Sequence, residues 1–115
     1  MKLPNREQAF VPKAKITAYL LSLAHEDGHG KAKFFTQFGF QVEEWQTLAS
    51  ALQRHAVDHE VTKVEESPFG KRYVIEGAMA APGGRSPFVR SVWFVRSGEQ
   101  IPRFVTAYPL PRSRG

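Results

Sequence analysis

Cysteine is absent from the 115 residues, which excludes disulfides, thiolate metal sites and a cysteine nucleophile together. No apolar run approaches the roughly 18 residues of a membrane span. The opening stretch MKLPNREQAF has Pro4, Asn5 and charges where an export signal needs apolar residues. A soluble cytoplasmic domain with no membrane partner is therefore expected. Three nucleotide-binding and hydrolase signatures are missing as well: G-x-x-x-x-G-K-[ST], G-x-G-x-x-G after a strand, and the G-x-S-x-G elbow. No internal repeat or low-complexity linker divides the chain, and its length suits a single domain. Acid is scarce in one half only. Residues 71–115 carry eight Lys and Arg against Glu76 and Glu99, whereas residues 1–70 sum to −1. Phosphates reward clustered cations, so RNA is a candidate partner for the basic part, although a solvated surface fits the same charge.

What is present is ample material for a core: 42% hydrophobic and 12% aromatic residues, too apolar for a disordered chain. Pro12 stands at a first helical position, and Ile16, Tyr19, Leu20 and Leu23 follow at helical spacing, predicting a helix over 12–24. Gly28 and Gly30 break it. Ala32, Phe35 and Phe38 resume the period before Gly39, a candidate C-cap, giving a short helix over 30–38. A third helix, 42–58, places Trp45, Leu48, Ala49, Leu52 and Ala56 on one stripe, with acids first and histidines last as the helix dipole favours. Beyond residue 60 the period becomes alternating. Strands are expected at 60–66, 70–79, 86–97 and 102–108, separated by SPFG, APGGR and GEQI, and 109–115 reads as a loose basic tail. The fold class expected is α+β, with three N-terminal helices packed on one face of a four-stranded antiparallel meander.

Alternation puts Val89, Ser91, Trp93 and Val95 on the helix side of the third strand, leaving Arg90 and Arg72 on the open side. For the last strand, the set Phe104, Thr106 and Tyr108 and the set Arg103, Val105 and Ala107 are equally eligible to face inward.

All four histidines fall in H-x-x-x-H pairs, His25/His29 and His55/His59. On a helix that spacing brings both rings to one face, as a metal site requires. Gly28 interrupts the first pair, the second sits at a helix end where the dipole alone favours histidine, and Asp27 and Asp58 are merely nearby. No metal and no cofactor is expected. A second constellation suits phosphodiester chemistry: His25, His29 and Lys31 before the second helix, and Arg72, Arg90, Thr106 and Tyr108 on the sheet. Cleaving RNA without a metal needs a base for the 2′-hydroxyl, an acid for the leaving oxygen and cations around the transition state. Each residue also has a structural role available, notably cross-strand pairing of Arg72 and Arg90 with Glu65 or Glu76. Tyr73, Phe88 and Phe94 beside Arg90 could instead stack single-stranded bases.

The run KITAYLLSLAHEDGHGKAKFFTQFGF, the segment SPFGKRYVIEGAM and the ending VRSVWFVRSGEQIPRFVTAYPL resemble a small uncharacterised bacterial domain family, met alone and within toxin-like and phage-associated proteins. The order of helices then four strands, with a late T-x-Y, is similar to the barnase, EndoU, colicin and RelE group of ribonuclease toxins. That resemblance implies a catalytic set of His25, Lys31, Arg72, Arg90, Thr106 and Tyr108, with His29 fitting the pattern less well. Its implied activity is that of a metal-independent endoribonuclease-like toxin domain. His25 would be base or acid, Lys31 and the arginines would hold phosphate, and Thr106 and Tyr108 would orient the scissile group. The alternative expectation is a non-catalytic interaction module or antitoxin-like partner that binds a small protein through the open face or an edge strand.

Overall fold

The computed structural model describes residues 1–24 and 29–111, the side chain of His29 excepted. The chain forms α1 (Lys13–Lys15, continued by a π-helical turn Ile16–Leu20), α2 (His29–Gln37) and α3 (Trp45–Asp58, entered through a 3-10 turn Val42–Glu44). Four strands follow: β1 (Val61–Ser67), β2 (Gly70–Ala78), β3 (Phe88–Arg96) and β4 (Arg103–Pro109), paired antiparallel in the order β1-β2-β3-β4. The α+β meander is the architecture expected from the residue pattern. Among the described residues, no helix is long and apolar enough to cross a membrane.

The first helix departs from expectation. It ends at Leu20 instead of residue 24, and Leu21 rather than Leu23 is buried. The Leu21 amide donates to the Ile16 carbonyl at 2.8 Å, five residues back, and this wider winding sets Leu21 beside Leu20 in the core. The end of α2 follows the sequence closely. Gly39, at φ 101°, donates to Thr36 O, and the next amide, Phe40, donates to Phe35 O. These two bonds make a Schellman cap, and the Phe35 and Phe40 rings close it at 6.2 Å.

One core lies between the helices and the sheet. Phe35 from α2, Leu48 and Leu52 from α3, and Ile16 and Leu20 from the first helix meet Ile75, Val89 and Trp93 of the sheet, all fully buried. The N-terminal ten residues, which carry no readable period, also contribute. Leu3 is fully buried, and Phe10 forms a parallel bridge to Arg103 of β4. On β3 the predicted inward residues Val89, Ser91 and Trp93 are buried and Val95 is half-buried against the core, with Arg90 on the opposite side.

For β4, neither alternating set faces inward as a whole. Val92 pairs with Thr106 but its neighbour Trp93 pairs with Phe104, so Val105 is an extra residue. That bulge resets the phase: Phe104 and Ala107 are buried, while Thr106 and Tyr108 stand opposite Val92 and Arg90 on the far side. The tail also differs, since Pro109 belongs to β4 and the Leu110 amide donates to Phe88 O at 3.0 Å. Residues 112–115 of the expected loose tail lie outside the described residues.

Candidate functional site

The phosphodiester set separates into two hydrogen-bonded clusters that meet along β4. In the first, the ammonium of Lys31, two residues into α2, donates to the hydroxyl of Tyr19 from the π-helical turn. The Tyr19 hydroxyl in turn lies 2.9 Å from Thr106 Oγ1. Lys31 Nζ also stands over the Tyr19 ring, 4.7 Å from its centroid, with Lys15 Nζ at 5.6 Å. Burial pushes the Tyr19 pKa up. The hydrogen bonds from Lys31 and Thr106, with the charges of Lys31 and Lys15, outweigh burial and leave it lowered. A phenol whose oxygen is held by an ammonium is a ready proton acceptor or donor.

In the second cluster Arg90 donates from Nε and Nη2 to Glu76 Oε2 at 2.6 and 2.5 Å, and from Nη1 to the Tyr108 hydroxyl at 3.0 Å. Cross-strand register makes this possible, because Arg90 pairs with Glu76 on β2 and with Tyr108 on β4. The Tyr108 hydroxyl and the Glu76 carboxylate raise the pKa of the guanidinium further. Since Tyr108 accepts from Arg90, its own O–H remains able to donate. Thr106 and Tyr108 are alternate residues on one strand and share a face, roughly 7 Å apart along the backbone. The two clusters are thus neighbours.

Arg72 is not brought to them. It pairs across strands with Phe94, four residues along β2 from Glu76, and its Nε lies 3.7 Å from Glu65 Oε1. Arg72 and Arg90 line opposite ends of a shallow cleft of about 490 Å³. Both arginines therefore carry the cross-strand carboxylate partners that their sequence positions allow. His25 lies outside the described residues, as do Glu26, Asp27 and Gly28. His29 opens α2.

Tyr19 is the residue that sequence reasoning missed, having been assigned to an apolar stripe with Ile16 and Leu20. The available signal was its hydroxyl, because a tyrosine among aliphatic core positions needs a hydrogen-bond partner. His55 and His59 do not form a ligand pair. His55 Nε2 donates to Gly77 O at 3.1 Å and His59 Nε2 to Ala78 O at 2.7 Å, so each ring is fastened to the β2 backbone.

A family model described as "Domain of unknown function (DUF6883)" matches residues 2–111. No curated protein matches the chain. Among solved structures, it is similar to a chain of a contact-dependent growth inhibition toxin–immunity protein complex from Klebsiella pneumoniae 342. The TM-score is 0.68 and the identity 16%, over 87% of this chain and 98% of that one. At that identity the likeness is one of fold.

Proposed function

The chain belongs to the DUF6883 family, a domain of unknown function, and we propose that it is a toxin-type endoribonuclease domain that cleaves RNA phosphodiesters with protein side chains. The carrying observation is the Lys31–Tyr19–Thr106 chain, which joins α2, the π-helical turn and β4 at one point beside Arg90 and Tyr108. In this reading Tyr19 acts as the phenolate that the Lys31 ammonium stabilises, and takes the proton of the ribose 2′-hydroxyl to become the neutral phenol. The 2′-oxygen attacks phosphorus, and the P–O5′ bond breaks. Tyr108 gives its proton to the departing 5′-oxygen, leaving a 2′,3′-cyclic phosphate and a 5′-hydroxyl. Lys31 and Arg90 balance the charge on the non-bridging oxygens. The likeness in fold to a chain of a toxin–immunity complex supports a toxin-type setting.

The test is cleavage of tRNA, mRNA and rRNA by purified protein across a pH series, alongside induced expression in a bacterium. Cleavage is expected, and Tyr19→Phe and Lys31→Met should each reduce it by about a hundredfold or more, the usual range for losing an acid–base group. RNA left intact with harmless expression, or Tyr19→Phe as active as the parent, sinks the proposal.

A second reading, a non-catalytic module that binds a small protein, is favoured by one observation: Arg90 and Arg72 are already engaged by Glu76 and Glu65. It expects Lys31→Ala to leave the cellular phenotype unchanged. It also expects Val64→Glu on the exposed edge strand β1 to abolish co-purification of the partner.

A further inference from the structure

Beside the Lys31–Tyr19–Thr106 chain lies a groove of about 510 Å³ lined by Phe34, Phe38, Arg85, Pro87, Phe88 and Leu110. Both of its walls continue into the phosphodiester site. On α2, Phe34 and Phe38 follow Lys31 at intervals of three and four residues, and so share its face of the helix. On the sheet, Phe88 precedes Arg90 by two residues on β3 and Leu110 follows Tyr108 by two, joined by the Leu110 to Phe88 backbone bond. The groove also carries charge. The Arg85 guanidinium stands 4.5 Å from the Phe38 ring centroid and donates from Nη2 to Gln37 O at 3.5 Å. Phe34 and Phe38 pack with centroids 5.0 Å apart, and Phe88 is 37% exposed.

We propose that this groove is a nucleobase subsite, in which a base of single-stranded RNA next to the scissile phosphate stacks on Phe88, facing the Arg85 guanidinium that lies over Phe38. The proposal rests on the RNA-cleavage reading and names its substrate class as unpaired RNA. An exposed aromatic ring, a guanidinium across from it and the cations Lys31 and Arg90 on the same elements are the combination that recognises a base together with its backbone. An apolar peptide would make no use of Arg85 or of the continuity with Lys31 and Arg90. In a duplex the bases are stacked on one another and their faces cannot enter the groove.

Binding and cleavage are measured separately. Binding uses a fluorescein-labelled 2′-deoxy oligonucleotide, which lacks the attacking hydroxyl, and a matched strand with abasic residues. The intact strand should bind more tightly than the abasic one. Phe88→Ala should lose about fivefold or more for the intact strand and nothing for the abasic strand, the loss expected of one stacked base. Phe88→Trp should restore it and Arg85→Gln should weaken it. Phe88 is exposed enough for its truncation to leave the core intact, and thermal melts of each variant confirm the fold. Equal binding of both strands, or a Phe88→Ala variant that binds like the parent, overturns the subsite even if ribose-containing RNA is cleaved. Base-dependent binding that Phe88→Ala removes, without cleavage of RNA, upholds the subsite and overturns the cleavage reading instead.

Discussion

His55 shows how a single residue can be settled by its hydrogen bonds. The carbonyl of Gly77 can only accept, so Nε2 of His55 carries the proton and Nδ1 is left as an acceptor. Ser91 therefore donates its hydroxyl proton to Nδ1 at 2.9 Å, while its oxygen accepts from Trp93 Nε1 at 2.9 Å. Every polar atom of this buried chain is satisfied, provided that the imidazole is neutral. Burial lowers the His55 pKa to about 4, against the opposing bond to Gly77 O and with the help of neighbouring His59. Between the ordinary value near 6.5 and about 4 the unfolded chain binds the proton that the folded chain refuses. Stability from this group is therefore complete above pH 6.5 and falls as pH drops through that window. The loss by pH 4 is on the order of 3 kcal/mol. Urea unfolding at pH 7, 5.5 and 4 should show that decline, and His55→Gln should flatten it. A His55 resonance titrating near 6.5 in the folded protein would contradict the assignment.

At the scale of elements, α2 matters most because it presents Lys31, Phe34 and Phe38 together. Its end is fixed by Gly39, where a Cβ would stand 3.2 Å from Gly83 N and 3.3 Å from Pro82 Cβ at a positive φ. Gly83 also donates to Phe38 O at 3.3 Å, so the β2–β3 connection rests on the cap of the helix. Gly39→Ala should cost about 1 kcal/mol or more and lower the melting temperature by roughly 4–8 °C. An unchanged thermal melt would show that the cap is dispensable. This cap was legible from Gly39 after an apolar period, as was the amphipathic stripe of α3, because both depend on local chemistry. The burial of Leu21 in place of Leu23 was not, since π-helical winding leaves no mark in a 3.6-residue pattern. Nor was the bulge at Val105, which decides that Thr106 and Tyr108 face away from Phe104. Both are set by tertiary packing, and the site depends on both. Lys31, Arg90, Thr106 and Tyr108 could be nominated by residue type, but Tyr19, which links two of them, needed the fold.

Across the whole molecule, the uneven charge gains meaning once its pairing is known. Eight Lys and Arg lie in residues 71–115, yet Arg72 and Arg90 share the sheet face with Glu65 and Glu76, and Arg96 lies within 4.0 Å of Glu99. The field presented to a polyanion is therefore smaller than the residue count implies. If Lys31, Arg85 and Arg90 each displace a counterion from the strand, the logarithm of affinity should fall with the logarithm of salt at a slope near −2. Between 50 and 200 mM salt that is about a fifteenfold loss. Glu76→Gln removes the carboxylate that Arg90 now holds, so it should tighten binding of a single strand at low salt. Fluorescence anisotropy with a labelled oligonucleotide over a salt series measures both effects. A flat salt response, with Glu76→Gln no tighter than the parent, would overturn the RNA reading.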